Sequence, residues 1–160
     1  MSPRQRARQT LELLGLSLTT ALPWSSSPSP IQPSARPCPA SVTITPLTRE
    51  WDYGDYEGLT SPQIRALRAS RGIVEKGPRW DIWRDGCEGG ESPEEVTERV
   101  DALIKEIREK WHGGYGGKTG DVLVVAHGHI LRAFAMRWVG KKLSDGPAFL
   151  LEAGGVGTLR

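Results

Sequence analysis

The stretch Asp121-Val122-Leu123-Val124-Val125-Ala126-His127-Gly128-His129 decides the fold class of this sequence. Its run of apolar, mostly β-branched residues at Val122–Val125 is typical of a strand that is buried on both faces. A short turn at Ala126–His129 follows, and the residues after it predict an amphipathic helix that carries Leu131, Phe134, Ala135 and Trp138. Strand, turn and helix in this order predict an α/β domain with a largely parallel sheet.

Three further segments predict helices. Pro3–Leu14 has apolar residues on one face and Gly15 as a stop. Ser61-Pro62 is typical of an N-cap followed by proline at the first helical position, with Gly72 beyond the helix end. The segment Ser92–Trp111 opens with a capping box and continues with apolar residues at helical spacing.

A proline- and serine-rich segment interrupts this pattern. Pro23–Pro46 holds seven of the twelve prolines of the chain. Because proline lacks a backbone donor and fixes φ, the segment cannot form an interior helix or a central strand. We expect a loop or a disordered insertion, the least ordered region of the chain, in which only Val42-Thr43-Ile44 could pair as a strand. The sequence therefore predicts a single domain over residues 1–160 with an insertion at about residues 22–46.

Composition excludes several classes of protein. With 160 residues, 38% hydrophobic and 25% charged, the chain has the composition of a globular domain. A formal charge of +2 does not indicate a nucleic-acid partner. The longest apolar run, Val122–Ala126, is too short to span a membrane, so we expect no membrane partner. Two cysteines, Cys38 and Cys87, cannot form a disulfide framework and favour a reducing, cytoplasmic compartment.

Candidate chemistry lies at the end of the predicted strand. In open α/β sheets ligands bind outside the carboxyl ends of strands, where His127 and His129 are placed. The backbone N–H groups that open the next helix suit an anion. The alternative is that both histidines are surface or capping residues. A zinc site is weakly indicated, because Cys38 and Cys87 stand apart and no third or fourth ligand has metal-like spacing.

Two more clusters point to phosphate chemistry. Ser2–Thr10 places three arginines at the entrance of a helix, where they oppose the helix dipole unless they bind something such as a phosphate. Arg49–Gly58 places four carboxylates among three aromatic residues, and carboxyl groups beside aromatic walls can act as general acids. The alternatives are a solvated basic helix face and a surface loop whose aromatic residues cover the core.

Four stretches in order resemble a known family: SPRQRARQT (residues 2–10), REWDYGDYEG (49–58), WDIWRDGCEGGES (80–92) and VLVVAHGHILR (122–132). They are similar to the histidine phosphatase (phosphoglycerate mutase-like) superfamily. The second and third look most similar to its fungal sedoheptulose 1,7-bisphosphatase branch. The resemblance covers about Ser2–Leu16 and Arg49–Arg160. It implies a three-layer sandwich in which helices flank a largely parallel sheet.

The resemblance also implies roles for individual residues. Arg6 would contact the transferred phosphoryl group, Glu50 would donate a proton to the leaving oxygen, and His127 would stabilise the phosphoryl group. Three further residues would shape the substrate side of the pocket: Ser2, Tyr53 and Arg132. The implied substrate is a phosphorylated sugar similar to sedoheptulose 1,7-bisphosphate, with no cofactor or metal.

One element of the family pattern is absent. Members of the family carry an Arg-His-Gly motif at the end of their first strand, whose histidine becomes phosphorylated, and this sequence contains no such tripeptide. We therefore expect an incomplete domain, truncated at its amino end, that lacks the first strand. Three functions stay open: a phosphatase using a phosphohistidine in the complete gene product, an inactive pseudophosphatase that binds phosphorylated ligands, and a non-functional fragment.

Overall fold

The computed structural model describes residues 1–25, 36–74, 77–112, 120–146 and 149–160. The described residues form the α-helices α1 (Gln5–Leu13), α2 (Ser61–Ser70), α3 (Ile82–Asp85), α4 (Pro93–Trp111) and α5 (Gly128–Trp138). Short 3₁₀ helices lie at Pro46–Thr48, Gly54–Tyr56 and Leu143–Asp145. None of the described helices combines the length and the apolar character needed to cross a membrane.

Helix α4 begins as the sequence predicts. The Ser92 hydroxyl accepts a hydrogen bond from the backbone N–H of Glu95, and the Glu95 carboxylate accepts one from the N–H of Ser92. This reciprocal capping box satisfies two of the amides that a helix start leaves unpaired. The apolar face that follows is buried: Val96, Val100, Leu103, Ile104 and Ile107. The prediction of a helix over Ser92–Trp111 is confirmed, with Ser92 as its cap.

The main core forms where α4 packs along α5. Helix α5 contributes Ile130, Ala133, Phe134 and Met136 to it. The predicted helix is confirmed, but it begins at Gly128, inside the stretch predicted as the turn. Side chains from outside these two helices close this core, among them Trp51, Tyr56 and, from α3, Trp83. Burial of each large apolar side chain contributes about 1.5–3 kcal/mol, so this core fixes the segments that carry residues 49–56 against α5.

The other two predicted helices are shifted slightly. Helix α1 is shorter than Pro3–Leu14 and ends before Gly15, whose φ of +60° is left-handed and whose N–H bonds to the carbonyl of Glu12. Helix α2 is capped by Thr60 and not by Ser61 as predicted, because both the N–H and the hydroxyl of Thr60 donate to Oε1 of Gln63. The Ser-Pro pair therefore lies inside the first turn.

The predicted interior strand is not observed. No β-strand is present in the part of the chain that the structure describes, and Val122–Val125 runs as extended backbone. Val122 is 38% exposed and Leu123 is 56% exposed, so the expectation of burial on both faces is wrong for these two residues. A strand that is buried on both faces needs a layer packed on each face, as the helices of α/β domains provide. The layered sheet is accordingly absent from the described residues.

The amino-terminal residues Met1 and Ser2 form backbone hydrogen bonds to two extended segments. The N–H of Ser2 donates to the carbonyl of Val125. The Met1 amine donates to the carbonyl of Thr43, and the N–H of Thr45 donates to the carbonyl of Met1. The segment predicted to pair as a strand, Val42-Thr43-Ile44, thus lies beside Met1. A smaller core lies here, formed by Ala7, Leu11, Leu18, Leu22 and Val125.

The proline-rich insertion is described only at its two ends, since residues 26–35 lie outside the described part. Its second described part is bonded to the segment that precedes the insertion: an isolated parallel bridge joins Leu18 and Cys38. The Cys38 N–H donates to the carbonyl of Ser17 at 2.7 Å, and the Thr19 N–H donates to the carbonyl of Cys38 at 2.9 Å. Backbone hydrogen bonds therefore hold residue 38 of the insertion beside residues 17–19.

Candidate functional site

His127 stands at the N-cap of α5, and its ring is tied to the amino-terminal segment. Its Nε2 atom lies 2.8 Å from Oγ of Ser2. Ser2 is fully buried, and its backbone is fixed to Val125, two residues before the histidine. The serine, 125 positions away in the sequence, therefore orients the imidazole. The family resemblance implied for Ser2 only a part in shaping the substrate side of the pocket.

The surroundings of His127 favour the neutral imidazole. Burial lowers the pKa of His127 below its ordinary value, the negative charge of Glu50 opposes that shift, and the positive charges of Arg6 and Arg4 add to it. Both arginines are exposed at the start of α1. Arg4 belongs to the predicted basic cluster, in which no local pattern distinguishes it from its neighbours. His127 thus lies in the field of two guanidinium groups and one carboxylate.

Glu50 occupies the N-terminus of α5. Its Oε1 atom accepts hydrogen bonds of 2.9 Å from the backbone N–H groups of Ile130 and Trp51. Its Oε2 atom accepts a longer bond of 3.3 Å from the N–H of His129. Helix N-termini attract negative charge because their amides lack intrahelical partners. The anion position predicted at this helix start is therefore filled, at least in part, by a carboxylate of the protein itself.

The structure brings the three predicted catalytic residues into one region. Glu50 binds the amides directly after His127, and the charges of Arg6 and Glu50 both act on the His127 imidazole. They come from three separate segments: α1, the connection before the 3₁₀ helix at Gly54–Tyr56, and the start of α5. Positive charge, a carboxyl group and an imidazole at one place can bind a phosphoryl group and move a proton to or from it.

Tyr53 lies beside this group. Its Oη atom and Nδ1 of His129 share a hydrogen bond of 2.8 Å. Burial raises the pKa of Tyr53 well above its ordinary value, and the nearby negative charge of Glu50 raises it further. The phenol therefore keeps its proton at neutral pH. It is a hydrogen-bonding group on the wall next to Glu50.

His129 has a larger structural role than its place in the sequence suggests. Its ring lies in an aromatic enclosure, with centroid distances of 6.4 Å to Trp51, 5.7 Å to Tyr53 and 5.6 Å to Trp83. Burial lowers the pKa of His129. The His-Gly-His spacing identified His129 as a candidate site residue. Only the fold shows that its backbone N–H donates to Glu50 and that its ring shares a hydrogen bond with Tyr53.

Arg132, predicted on the substrate side, lies further along α5 than this group. Its Nε donates to the carbonyl of Phe149 at 2.9 Å, and its guanidinium lies over the Trp83 ring at 5.0 Å from the centroid. Its charge contributes to the lowered pKa of His129. The guanidinium of Arg132 is therefore bound to the carboxy-terminal segment and to the Trp83 ring, next to His129.

A buried ion pair that the sequence analysis did not identify supports the segment carrying Glu50. Glu91 is buried, and its carboxylate contacts both Arg49 and Arg99 at 2.7 Å. Arg99 also donates to the carbonyls of Leu47, Arg49 and Glu50. Two arginines and an acid at these separations in sequence give no local pattern, so only the folded chain shows that they form one network.

A cavity of about 530 Å³ opens beside the group. Tyr53 and His129 line it together with Arg65, Arg79 and Trp80, whereas Arg6, Glu50 and His127 do not. Within the described residues, no group of three His, Cys, Asp or Glu side chains is placed to hold a metal ion. Cys38 and Cys87 are both free thiols.

Comparison of the chain with known proteins identifies a family that it matches. A family profile described as the histidine phosphatase superfamily (branch 1) matches residues 30–160. The chain is 34% identical to a sedoheptulose 1,7-bisphosphatase of Saccharomyces cerevisiae, over 99% of this chain and 65% of that protein. It is also 34% identical to an acid phosphatase of Mycobacterium tuberculosis, over 98% of this chain and 58% of that protein.

A solved structure gives the same result for the fold. The product of an open reading frame of Mycobacterium tuberculosis superposes with a TM-score of 0.62 at 35% sequence identity, covering 93% of this chain and 57% of that one. The chain thus spans roughly three fifths of the length of the relatives it matches. The phosphoglycerate mutase-like fold rests on this agreement of sequence and structure.

Proposed function

The chain belongs to the histidine phosphatase superfamily, and from that premise we propose that it binds phosphorylated sugars and takes part in cleaving their phosphate esters. The observation that carries the proposal is the meeting of Glu50 and His127 at the start of α5, under the positive charges of Arg6 and Arg4. Both curated relatives are phosphatases by name, which supports the reaction class.

The first step is binding of the phosphoryl group. Arg6 and Arg4 are exposed and free to turn their guanidinium forks toward phosphate oxygens. A phosphate dianion next to His127 favours the imidazolium and so counteracts the burial and the arginine charges that lower its pKa. Ser2 holds the ring in place while this proton is taken up. The bound phosphoryl group then faces three cationic groups, which offset the charge on its equatorial oxygens.

The second step is proton donation to the leaving oxygen. As an attacking nucleophile, a histidine in the phosphohistidine route or otherwise water, forms its bond to phosphorus, the P–O ester bond breaks. The carboxyl group of Glu50 gives its proton to the bridging oxygen, which leaves as the alcohol, and Glu50 becomes a carboxylate. The amides of Trp51, His129 and Ile130 fix this group in position. A protonated carboxyl keeps lone pairs for such N–H bonds, so the same amides can hold Glu50 before and after the transfer.

A second candidate function is ligand binding without turnover. The sequence contains no Arg-His-Gly tripeptide, and its three histidines have other partners. His127 contacts Ser2, His129 contacts Tyr53, and His112 lies at the end of α4 with its ring 5.8 Å from that of Trp138. A pseudophosphatase would keep the cationic site of Arg6 and His127 while lacking the group that accepts the phosphoryl.

Calorimetric titration of inorganic phosphate and fructose 6-phosphate into the chain at pH 7 tests the proposed site. We expect Arg6→Gln and His127→Gln each to weaken binding about tenfold, the usual effect of losing one charge-assisted hydrogen bond. His112→Gln is the matched control and should bind as the parent chain does. Phosphate release measured in the same samples separates hydrolysis from binding alone. Equal affinity in all four proteins, or no binding by the parent chain, contradicts the proposal.

A further inference from the structure

The two ring nitrogens of His127 have different surroundings. The Nε2 atom lies 2.8 Å from Oγ of Ser2, a residue with no exposed surface. The Nδ1 atom has no hydrogen-bond partner in the part of the chain that the structure describes. Among those residues, the buried side-chain polar atoms without a partner are Nε of Arg8 and Oγ of Ser17, so Nδ1 of His127 is in contact with solvent. Nδ1 is therefore the ring nitrogen that a ligand can reach.

The hydrogen bonds of the Ser2 hydroxyl determine which ring nitrogen carries the proton. A hydroxyl donates one hydrogen and accepts through two lone pairs. The backbone N–H of Arg4 donates to Oγ at 3.3 Å, so this neighbour occupies a lone pair and leaves the hydrogen free. Within the described residues, Nε2 of His127 is the other partner of Oγ and the one acceptor for that hydrogen. A proton on Nε2 of the neutral ring would leave a buried hydroxyl hydrogen without an acceptor, which is unfavourable.

We infer that Ser2 fixes the tautomer of the neutral His127 imidazole, with the serine hydroxyl donating to Nε2 and the ring proton held on Nδ1. A neutral ring in this tautomer offers an N–H donor to a phosphate oxygen on its open side. Ser2 is then a positioning residue, because it acts on the phosphate through His127. The inference rests on the proposed function and adds to it the atom of His127 that binds phosphate and the protonation state in which it can do so.

The charges that face His127 make the tautomer important at neutral pH. Glu50, bound at the start of α5, favours a protonated ring, whereas Arg6 and Arg4 at the start of α1 disfavour it. Burial is the largest influence and lowers the pKa of His127, so the ring of the free chain is neutral at pH 7. A neutral ring without a proton on Nδ1 would turn a lone pair toward the phosphate oxygens and repel them. Proton uptake after phosphate has bound occurs at Nε2, whose new N–H donates to Oγ of Ser2, and it leaves the Nδ1–H bond to phosphate unchanged.

Nitrogen-15 NMR of the histidine-labelled chain at pH 7.5 measures the tautomer, and the signals lost in His127→Gln assign the ring. We expect the parent chain to carry the proton on Nδ1, and Ser2→Ala to shift it toward Nε2, because the hydroxyl that requires Nε2 as an acceptor is gone. Ser17→Ala is the matched control. It removes another buried serine hydroxyl, one without a hydrogen-bond partner in the described part of the chain, and should leave the His127 tautomer as in the parent. A proton on Nε2 of the neutral parent ring overturns the inference, even if Ser2→Ala does not fold.

The pH dependence of phosphate affinity separates this role from a purely structural one. Inorganic phosphate is titrated calorimetrically into Ser2→Ala and Ser17→Ala between pH 5 and 8, and the ratio of the two affinities cancels the titration of phosphate itself. We expect nearly equal affinities at pH 5, where the phosphate-bound ring carries hydrogens on both nitrogens. At pH 8, where the ring is neutral, Ser2→Ala should bind about tenfold more weakly. An equal loss at every pH would show that the serine only supports packing and would overturn the inference.

The outcomes also separate this inference from the proposed function. Phosphate binding that depends on His127, together with a ring proton on Nε2, overturns the inference and leaves the proposed function. A ring proton on Nδ1 without any phosphate binding by the parent chain overturns the proposed function and leaves the tautomer assignment. A tautomer change in Ser17→Ala as large as in Ser2→Ala overturns the assignment to Ser2. Thermal unfolding of each variant verifies that it is folded.

Discussion

Glu91 and Arg99 form a bidentate ion pair: Nε of Arg99 lies 2.7 Å from Oε1 of Glu91, and Nη2 of Arg99 lies 2.8 Å from Oε2. Glu91 also accepts the backbone N–H of Asp52, and its own carbonyl accepts the indole N–H of Trp51. Arg99 donates to the backbone carbonyl of Glu50 at 3.4 Å. The pair therefore holds Glu50 and the two residues after it by hydrogen bonds. The orientation of Glu50, the proposed acid, depends on this ion pair between Glu91 and Arg99.

Glu91→Gln tests how strongly the ion pair between Glu91 and Arg99 stabilises this segment. Loss of the negative charge leaves the Arg99 side chain, which is only 10% exposed, without its counter-ion. Breaking a buried pair in this way costs about 3–5 kcal/mol. We expect the free energy of unfolding, measured by urea denaturation, to fall by about 3 kcal/mol. Glu98→Gln, at an exposed position of α4 beyond its first turn, is the control and should change it by less than about 0.5 kcal/mol. Similar values for the two variants would show that the pair does not hold this segment.

Glu50→Gln should strengthen phosphate binding at pH 7.5. The glutamine side chain has nearly the same shape and keeps an oxygen for the amides of α5, while the negative charge that repels a dianion is removed. We expect inorganic phosphate to bind severalfold more tightly by calorimetry. Any hydrolysis by the chain should decrease in the same variant, because the proton donor is lost. Glu98→Gln, exposed on α4, controls for the change in net charge. Weaker binding by Glu50→Gln than by Glu98→Gln would contradict this arrangement.

Stability should decrease as the pH falls from 7 toward 5. Burial lowers the pKa values of His127 and His129 below the ordinary 6.5 of an unfolded chain. Between the lowered and the ordinary value the unfolded chain binds more protons, so its free energy falls relative to the folded state. This contribution is fully present above pH 6.5 and is lost as the pH drops through the lowered values.

Urea denaturation at pH 7.0, 6.0 and 5.0 measures that effect. His129→Gln should reduce the difference in unfolding free energy between pH 7 and 5, and His112→Gln should leave it as in the parent chain. Glu91 and Asp85 have lowered pKa values and add their own loss only below about pH 4.5, outside this window. An unfolding free energy that increases from pH 7 to pH 5 would contradict the prediction, because buried neutral histidines must make it decrease.

The 160-residue chain should release phosphate very slowly. A phosphohistidine route has two steps that both require a histidine nucleophile, and no Arg-His-Gly motif is present to supply it. Electrostatic stabilisation by the remaining groups gives only a residual rate. Phosphate release from sedoheptulose 1,7-bisphosphate and from an aryl phosphate should be orders of magnitude below that of the yeast relative. Comparable rates with a phosphohistidine trapped at His127 would show that the nucleophile lies there.

Local patterns in the sequence predicted the family and four of the five α-helices in the described part of the chain, all but the short α3. The capping box at Ser92 and Glu95 needs only residues three apart, and the apolar spacing of α4 and α5 repeats within each helix. Such signals depend on neighbours along the chain, which the sequence contains in full. The order of four short motifs likewise indicated the histidine phosphatase superfamily before any contact between them was known.

Tertiary structure alone decided what those segments pair with. The β-branched run at Val122–Val125 indicated extended backbone, but whether Val122 and Leu123 are buried depends on which segments lie beside them. The hydrogen bond between Ser2 and His127 joins residues 125 positions apart, and Glu50 reaches the amide of Ile130 across 80 positions. Contacts over such separations carry no local periodicity, and their strength comes from burial, which exists only after the chain has folded.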